Sequence, residues 1–293
     1  MDKIKKVEVQ IVNAFVDNNK GGNPAGVVLD AEDYTNEQKL KIAAKVGLSE
    51  TAFVSKSGIA DFKLEFFSPN RQIAHCGHAT IATFSYLSQL GKIKNPNSSK
   101  ETIDGKRDIK IIGEMAFMEQ QAPTYRDVSA RKQLVLKSLN LKEDDIPSKT
   151  PITLVNTGNS FLIIPVSDIN ILSNIKPDFD LINQLSEEFD LVGYYVFAFN
   201  GINSERDVTT RMFAPRYGIE EEAGTGMAAG TLACYLYDKL SSNKSHFLIE
   251  QGHFMKVPSP SLIIVDLVLE ESKIKKLMAG GKGISTSKMI IEI

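Results

Sequence analysis

Two matching stretches of sequence decide the fold. The first runs from Phe67-Ser68-Pro69 to Cys76-Gly77-His78 and into a helix rich in small residues. The second runs from Phe213-Ala214-Pro215 to Ala223-Gly224-Thr225-Gly226 and into another such helix. The proline precedes the next glycine by 8 residues in the first stretch and by 9 in the second. Because strand, proline, long turn, glycine and helix recur in the same order, the sequence predicts an internal duplication.

Alternating apolar residues on both sides of these stretches predict further strands, and apolar residues at helical spacing predict further helices. The clearest helix spans residues 36 to 46, where Thr35 and Gln38 have the spacing of a capping box and Gly47 stands where a C-terminal glycine belongs. Further helices are expected at residues 79–90, 179–189 and 227–240. Gly21-Gly22-Asn23-Pro24 is predicted to be a turn.

The polar segment from Gln120 to Pro151, which holds one short predicted helix near residues 130–139, is interpreted as the connection between two domains. We therefore predict domains at residues 1–121 and 122–293, with the last strand free to return to the first domain.

The composition excludes several classes of protein. The 293 residues are 42% hydrophobic and 24% charged, which is typical of a globular chain. The 34 basic and 36 acidic residues form no long run of one sign, so neither nucleic acid nor membrane is expected as a partner. The N-terminus has no apolar signal region, and two cysteines cannot form a disulfide framework, so a cytoplasmic location is expected.

A glycine directly before a helix leaves the first backbone N–H groups accessible, and the helix dipole favours an anion there. Gly77 lies at the first helix start, and Gly224 and Gly226 lie at the second. Two such helix starts related by a pseudo-twofold axis would face each other across a cleft and hold a carboxylate or an enolate.

Titratable residues accompany both helix starts. His78 follows Gly77, and Glu222 precedes Gly224. Glu50 lies among the apolar residues Leu48, Ala52 and Phe53, a setting that suits a carboxyl group to move protons near neutral pH. Each residue also has an ordinary structural interpretation: a hydrogen-bonding histidine, a surface glutamate, and a solvated acidic run.

Ordered motifs along nearly the whole chain resemble the signature of the PhzF (phenazine biosynthesis) isomerase-like family. In the first half they are Gly22-Asn23-Pro24-Ala25-Gly26, Leu48-Ser49-Glu50-Thr51-Ala52-Phe53 and Cys76-Gly77-His78-Ala79-Thr80. In the second half they are Asn156-Thr157-Gly158, Arg211-Met212-Phe213-Ala214-Pro215, Thr225-Gly226 and Gln251-Gly252.

The resemblance implies the α+β fold of diaminopimelate epimerase, with two pseudo-symmetric domains that each wrap a barrel-like sheet around a central helix. It also implies a homodimer and no cofactor. By the resemblance, Glu50, His78 and Glu222 are the expected catalytic residues. The expected substrate-binding residues are Asn23, Cys76, Gly77, Gly224, Thr225, Gly226 and Gln251. The implied activity is a cofactor-independent isomerisation that moves a proton at carbon in a small carboxylic acid.

The chain departs from the family pattern at three places. Glu222 replaces an aspartate, Met227 replaces a serine, and Val257-Pro258-Ser259 replaces Arg-Pro-Ser. A shift of about 1 Å in a catalytic group costs on the order of a hundredfold in rate. These departures argue against the phenazine precursor as substrate.

Other interpretations rank below the isomerase. One is a non-catalytic member of the same fold that binds a small carboxylate or a protein partner. Another is a dinucleotide-binding oxidoreductase, suggested by Gly224, Gly226 and Gly230 with Glu250 20 residues further on. Racemisation by two thiols is disfavoured because Ala223 occupies the position expected for the second cysteine. His75, Cys76 and His78 are rejected as a metal site because the sequence shows no distant fourth ligand.

Overall fold

A computed structural model describes residues 5–199 and 201–293. Contacts between residues divide the chain into two compact units. The N-terminal unit comprises the chain through Glu119 together with Gly280–Ile293, and the C-terminal unit comprises Gln120–Ala279. The last residues belong to the N-terminal unit because the final strand pairs antiparallel with the first.

The N-terminal unit contains two helices, α1 (Asn36–Val46) and α2 (Gly77–Gln89). Its strands are β1 (Lys6–Ala14), β2 (Asn23–Val28), β3 (Thr51–Ser55), β4 (Phe62–Phe67), β5 (Gln72–Ile73), β6 (Asn97–Thr102), β7 (Gly105–Ile112), β8 (Met115–Gln121) and the C-terminal β17 (Ile284–Glu292). The unit boundary at residue 119 falls within β8.

The C-terminal unit contains α3 (Lys132–Ser138), α4 (Ile169–Asn174), α5 (Phe179–Phe189) and α6 (Gly226–Asp238). Its strands are β9 (Thr124–Asp127), β10 (Thr153–Asn156), β11 (Ser160–Val166), β12 (Gly193–Phe199), β13 (Val208–Phe213), β14 (His246–Gln251), β15 (Ser261–Glu270) and β16 (Lys273–Lys282), which ends in the N-terminal unit.

The two units repeat one order of pairings, as the duplicated stretches predict. In the N-terminal unit, β1 pairs antiparallel with β2, α1 connects the parallel strands β2 and β3, β3 pairs antiparallel with β4, and α2 connects the parallel strands β4 and β6. In the C-terminal unit, β10, β11, β12, β13 and β14 follow the same order, with α4 and α5 in the first crossover and α6 in the second. Helices α1 and α5 are both 11 residues long, and α2 and α6 are both 13.

Helices α2 and α6 form the centres of their units. Helix α2 packs against β1, β2, β3, β7 and β17, and α6 packs against β10, β11 and β15. In α2 all residues from His78 to Ser85 are buried, and in α6 all residues from Gly226 to Leu236 are buried. The prediction of an α+β fold with a sheet around each central helix is confirmed.

The local signals that end the first helix act as predicted. The Thr35 hydroxyl accepts a hydrogen bond from the Gln38 N–H, and the Gln38 side chain accepts one from the Thr35 N–H. Gly47 has φ 72°, the left-handed conformation that ends helices and that glycine adopts without strain. Among the described residues, no helix is long and apolar enough to span a bilayer.

Two predictions about local structure are wrong, and one helix was not predicted. The segment 120–151 is part of the C-terminal unit, because β9 pairs with β10 and Val135 and Leu136 pack into the hydrophobic core of that unit. Asn23 and Pro24 belong to strand β2 rather than to a turn. Helix α4, capped by the Asp168 carboxylate, was not predicted because its six residues are too short to show a helical period.

The close pairing of β12 with β13 yields a first prediction. A Cβ atom at Gly193 would lie within 3.0 Å of the backbone carbonyl oxygen of Phe213. We expect Gly193→Ala to lower the free energy of unfolding by about 1–3 kcal/mol, measured by urea denaturation, because backbone atoms cannot yield to the added methyl group. Gly58, whose Cβ position is open, is the matched control: Gly58→Ala should change the stability by less than about 0.5 kcal/mol. Equal effects of the two substitutions would contradict the packing described at Gly193.

Candidate functional site

Three of the predicted site residues meet at the start of α2. The Oε2 atom of Glu50 lies 3.3 Å from Nε2 of His78. The other ring nitrogen of His78, Nδ1, lies 3.6 Å from Sγ of Cys76. The side chains of Glu50 and His78 are only 12% and 4% exposed, so the carboxylate and the imidazole meet in a largely dehydrated environment.

Two crossover connections bring these residues together. Glu50 follows the end of α1 and directly precedes β3, and its backbone carbonyl accepts a hydrogen bond from the N–H of Gly26 in β2. Cys76 is the N-cap of α2, and His78 is the second residue of that helix. Because β2 and β3 are adjacent and α2 packs on both, the ends of the two crossovers converge on one point.

The contacts of His78 define how protons are arranged. Burial raises the pKa of the Cys76 thiol, the charge of Glu50 raises it further, and His78 acts in the opposite direction. A protonated thiol donates to Nδ1, which assigns the imidazole proton to Nε2, the nitrogen that faces Glu50. The structure therefore places this nitrogen 3.3 Å from Oε2 of the Glu50 carboxylate.

The structure corrects the argument against a metal at Cys76 without supplying a metal centre. Glu50 is the distant partner that the sequence did not show, and one donor atom each of Glu50, Cys76 and His78 lie within 4.8 Å of one another. However, Cys76 contacts Nδ1 and Glu50 contacts Nε2 of the same ring. His75 contacts Lys100 instead.

Three further predicted residues meet in the C-terminal unit. The Thr225 hydroxyl donates to the Glu222 carboxylate, and the Thr225 N–H donates to Oε1 of Gln251 at 3.1 Å. The Gln251 amide donates to the Glu222 carbonyl at 2.7 Å and to the Thr225 hydroxyl at 3.1 Å. Gln251 is fully buried, so it fixes the loop that carries Glu222 to the start of α6.

The remaining predicted residues lie in the elements around these two groups. Gly77 and Gly226 are the first residues of α2 and α6, and Gly224 lies in the loop before α6. Asn23 is the buried first residue of β2. The N-cap residues Cys76 and Thr225 are both extended, and neither side chain makes a capping hydrogen bond within the described structure. Both helix starts therefore keep backbone donors for other partners.

Aligning the two helix starts pairs Cys76 with Thr225, whereas the motif comparison paired it with Ala223. Cys234 is fully buried within α6. Under either alignment the second half places no thiol opposite Cys76, which leaves the two-thiol mechanism without its second base.

The acidic run 220–222 divides into separate roles. The Glu221 carboxylate forms two parallel hydrogen bonds with the Arg211 guanidinium, at 2.9 and 2.8 Å. Arg211 also donates to three backbone carbonyls near the end of α4, those of Leu172, Ser173 and Ile175. Glu221 therefore holds the loop in place through Arg211. Glu222, and not Glu221, hydrogen-bonds at the start of α6.

Sequence reasoning missed Tyr195, whose hydroxyl donates to Oε1 of Gln251 at 3.0 Å and accepts from the Thr210 hydroxyl at 3.0 Å. Burial raises the pKa of the Tyr195 phenol, so it acts as a neutral donor. Tyr195 lies in the buried strand β12, where an aromatic residue has the pattern of an ordinary core residue. No sequence signal distinguishes it from the neighbouring Tyr194.

The dinucleotide hypothesis fails at its acidic residue. The Glu250 carboxylate accepts hydrogen bonds from the N–H groups of Ile202 and Asn203 and from the Thr209 hydroxyl. Glu250 is 1% exposed and is therefore occupied by the protein's own backbone rather than available to a ribose. Strand β14 then continues into the antiparallel strand β15 and not into a second crossover helix.

Comparison with known proteins identifies the family of this chain. The family model described as phenazine biosynthesis-like protein matches residues 12–288 of the chain. The chain belongs to the PhzF family of isomerases. Trans-2,3-dihydro-3-hydroxyanthranilate isomerase of Pseudomonas chlororaphis is 28% identical over 287 residues, which cover 94% of this chain and 95% of the relative.

Solved structures agree with this assignment. A PhzF-family protein of Bacillus anthracis has a TM-score of 0.89 and 27% identity, with 99% of this chain and 100% of that chain covered. A hydroxyproline epimerase of Agrobacterium vitis has a TM-score of 0.61 and 11% identity, with 98% and 93% covered, and shares the fold alone. The PhzF resemblance and the epimerase-like fold expected from the sequence are therefore confirmed.

The buried thiols of this PhzF-family chain can be tested directly. Burial raises the pKa of both Cys76 and Cys234. We expect iodoacetamide at pH 7.5 to alkylate both thiols in the native protein at least ~10-fold more slowly than in the urea-unfolded chain, since the thiolate is the reactive form. Peptide mapping by mass spectrometry assigns the rate to each cysteine. Rapid alkylation of native Cys76 would contradict its assignment as a protonated donor to His78.

The Arg211–Glu221 pair yields a prediction about stability. Arg211→Met leaves the largely buried Glu221 and three carbonyls without their donor, so we expect it to lower the free energy of unfolding by about 3–5 kcal/mol. Arg216, which pairs with the exposed Glu187 and Asp190, is the control, and Arg216→Met should cost less than about 1 kcal/mol. Chemical denaturation measures both values. A small effect at Arg211 would show that the loop before α6 does not depend on this pair.

Proposed function

We propose that this protein moves a proton between carbon atoms of a small carboxylic acid, with Glu50 as the acid/base and without a cofactor. The observation that carries the proposal is the buried contact between the Glu50 carboxylate and the His78 imidazole at the start of α2. A carboxylate held in a dehydrated environment beside an imidazole suits the role of a general base.

The proposed reaction has two steps that balance without a redox partner. In the first, the Glu50 carboxylate takes a proton from one carbon, and the electron pair of the broken C–H bond is delocalised into the neighbouring unsaturated system. In the second, the resulting carboxylic acid of Glu50 returns the proton to a different carbon. The sum is an isomerisation, and Glu50 ends as the carboxylate with which it began.

His78 serves this cycle by orientation. Its Nε2 lies 3.3 Å from the Glu50 carboxylate, while Nδ1 contacts the Cys76 thiol. When Glu50 becomes protonated, the same imidazole remains in place, so the carboxyl group keeps the position from which it returns the proton. The need to hold the imidazole in place explains why Cys76, a buried cysteine that is not itself a base, lies beside His78.

The substrate carboxylate requires donors, and the helix starts offer them. The backbone N–H groups at Gly77 in α2 and at Gly226 in α6 have the chemistry for an anion. In the C-terminal unit, Glu222, Thr225 and Gln251 form one hydrogen-bonded group beside the α6 start, and we assign them to substrate positioning. Asn23 is assigned to the same task from the family resemblance, and Gly224 from its place in the loop before α6.

The substrate class is narrowed by the departures from the family pattern. The Pseudomonas relative is named for an isomerisation of trans-2,3-dihydro-3-hydroxyanthranilate. Here Glu222 is already occupied by the Thr225 hydroxyl, and Met227 is an apolar residue at the second position of α6. We therefore propose a different small carboxylic acid, cyclic or amino-substituted, and a homodimeric assembly as in the family resemblance.

The experiment is solvent deuterium incorporation into a panel of small cyclic and amino carboxylic acids that includes trans-2,3-dihydro-3-hydroxyanthranilate. Mass spectrometry and NMR detect the label and its position. We expect the wild-type protein to label at least one acid, and Glu50→Gln to lower that rate by about 10²–10⁴-fold, the usual contribution of a general base. Glu37→Gln, an exposed substitution in the first turn of α1, should leave the rate unchanged.

The outcomes separate the competing functions. Labelling that persists in Glu50→Gln removes Glu50 from the acid/base role. Saturable binding of an acid without labelling favours the non-catalytic member of the same fold. Saturable binding of NAD(P)H would support the oxidoreductase hypothesis, even though the Glu250 carboxylate accepts hydrogen bonds from the protein backbone.

A further inference from the structure

Lys100 is a fully buried lysine directly behind the start of α2. It lies on β6, the strand that follows α2 in the crossover, and its side chain is 0% exposed. No carboxylate among residues 5–199 and 201–293 lies within ion-pair distance of its ammonium group. A buried ammonium without a carboxylate is costly, because burial removes its hydration.

The groups closest to Lys100 Nζ are a hydroxyl, an imidazole and an aromatic ring, and none of them is charged. Nζ donates to the Thr80 hydroxyl at 2.6 Å and lies 3.3 Å from Nδ1 of His75 and 5.2 Å from the ring centroid of Phe66. Burial, together with the charges of Lys100 and Arg107, lowers the pKa of His75 well below its ordinary range, so its neutral Nδ1 accepts from the ammonium. The protein thus solvates this cation with a hydroxyl, an imidazole and an aromatic ring.

The Thr80 hydroxyl passes this interaction to the active site. It donates in turn to the backbone carbonyl of Cys76 at 2.6 Å. That carbonyl belongs to the Cys76–Gly77 peptide group, whose N–H is the first of α2. Withdrawing electron density from a carbonyl makes the N–H of the same peptide a stronger donor, as in other hydrogen-bonded chains.

The duplicated half shows that the fold does not require this arrangement. Strands β4 and β13 both have six residues, and the pair Phe62–Lys100 at the start of β4 corresponds to the pair Val208–Ile249 at the start of β13. Counting from the helix starts, Thr80 corresponds to Ala229. The C-terminal unit therefore places buried Ile249 and Ala229 where the N-terminal unit places a lysine and a threonine.

We propose that Lys100 is a positioning residue that acts through Thr80, so that its protonated form strengthens the Gly77 N–H as a donor to an anionic ligand. The assignment of that ligand as the substrate carboxylate rests on the proposed function. The hydrogen bonds from Nζ to Thr80 and from Thr80 to the Cys76 carbonyl are observed whether or not the proposed function holds.

The charge of Lys100 changes in the physiological range. Burial lowers its pKa, Cys76 and Asp104 raise it, and the positive charge of Arg107 lowers it, with a net pKa of about 7. These groups and His75 are the titratable groups that face it, from β7, the α2 N-cap, the β6–β7 turn and the segment before α2. We therefore expect the donor strength of Gly77 to fall as the pH rises through about 7.

The sequence permits a test at a single peptide bond. Cys76–Gly77 is the one Cys–Gly pair in the chain, so labelling cysteine with ¹³C at the carbonyl and glycine with ¹⁵N gives one carbonyl–amide NMR signal. We expect this signal in the wild-type protein to titrate between pH 5.5 and 9 with a midpoint near 7. The titration should be lost in Lys100→Met and in Thr80→Ala, and kept in Thr80→Ser, which retains the hydroxyl.

The same signal measures anion binding with formate, the smallest carboxylate, as the probe. We expect formate to bind the wild-type protein several-fold more weakly at pH 8.5 than at pH 6, and Lys100→Met to lose this difference. A titration that persists unchanged in Lys100→Met would assign it to His78 or Glu50 and overturn the proposal. A normal Lys100-dependent titration without any response to formate would overturn the anion-binding role alone.

Stability gives an independent check on the buried ammonium and on folding of the variant. A lysine whose pKa falls on folding makes the folded state bind fewer protons than the unfolded state, so stability rises with pH from about 7 towards the ordinary lysine pKa. We expect the urea midpoint to rise more over pH 7–9.5 in the wild-type protein than in Lys100→Met. Parallel curves for the two proteins would show that folding does not lower the pKa of Lys100 and would overturn the proposed dependence on pH, whatever the result of the deuterium experiment.

Discussion

The constraint on which the structure depends is the complete burial of α2 and α6 within their own units. A helix surrounded by strands must present small residues so that the strands can approach, and both helices are rich in alanine, glycine, serine and threonine. Burial also has a consequence at the helix ends. The first N–H groups have no partner inside the helix, and a buried helix start must find one elsewhere. The candidate anion-binding positions at Gly77 and Gly226 follow from that requirement.

Duplication meets this requirement twice, but with different side chains. Each unit crosses from one parallel strand to the next through a central helix that begins at a glycine. In the N-terminal unit the surroundings of that glycine are ionisable, with Glu50 before β3 and Lys100 on β6. Gly193 and Ile249 hold the corresponding places in the C-terminal unit. The two units thus share a scaffold, while the residues proposed for proton transfer lie in one of them.

In the C-terminal unit, buried polar side chains instead hydrogen-bond to the loops and hold them in place. Gln251 ties the Thr225 backbone and the Glu222 carbonyl together, and Tyr195 holds Gln251 from the adjacent strand. Arg211 joins the loop before α6 to the end of α4. These interactions are buried and mutually satisfied, so they specify one loop conformation. A substrate carboxylate would meet donors whose positions are set before it arrives.

The sequence by itself determined the repeated order of elements, the capped ends of α1, the α+β class and the membership of Glu50, Cys76 and His78 in one family pattern. These features depend on local signals: glycine at a helix start, a capping box, and apolar periodicity. Only the tertiary structure decided that His78 has its two ring nitrogens divided between Cys76 and Glu50, and that Tyr195 and Lys100 support the two helix starts. Such contacts join residues on different strands and helices, and a tyrosine or lysine within a strand carries no local mark of the partner that folding will give it. The physical reason is that hydrogen-bond partners are chosen by the crossover geometry, which sequence periodicity specifies only in outline.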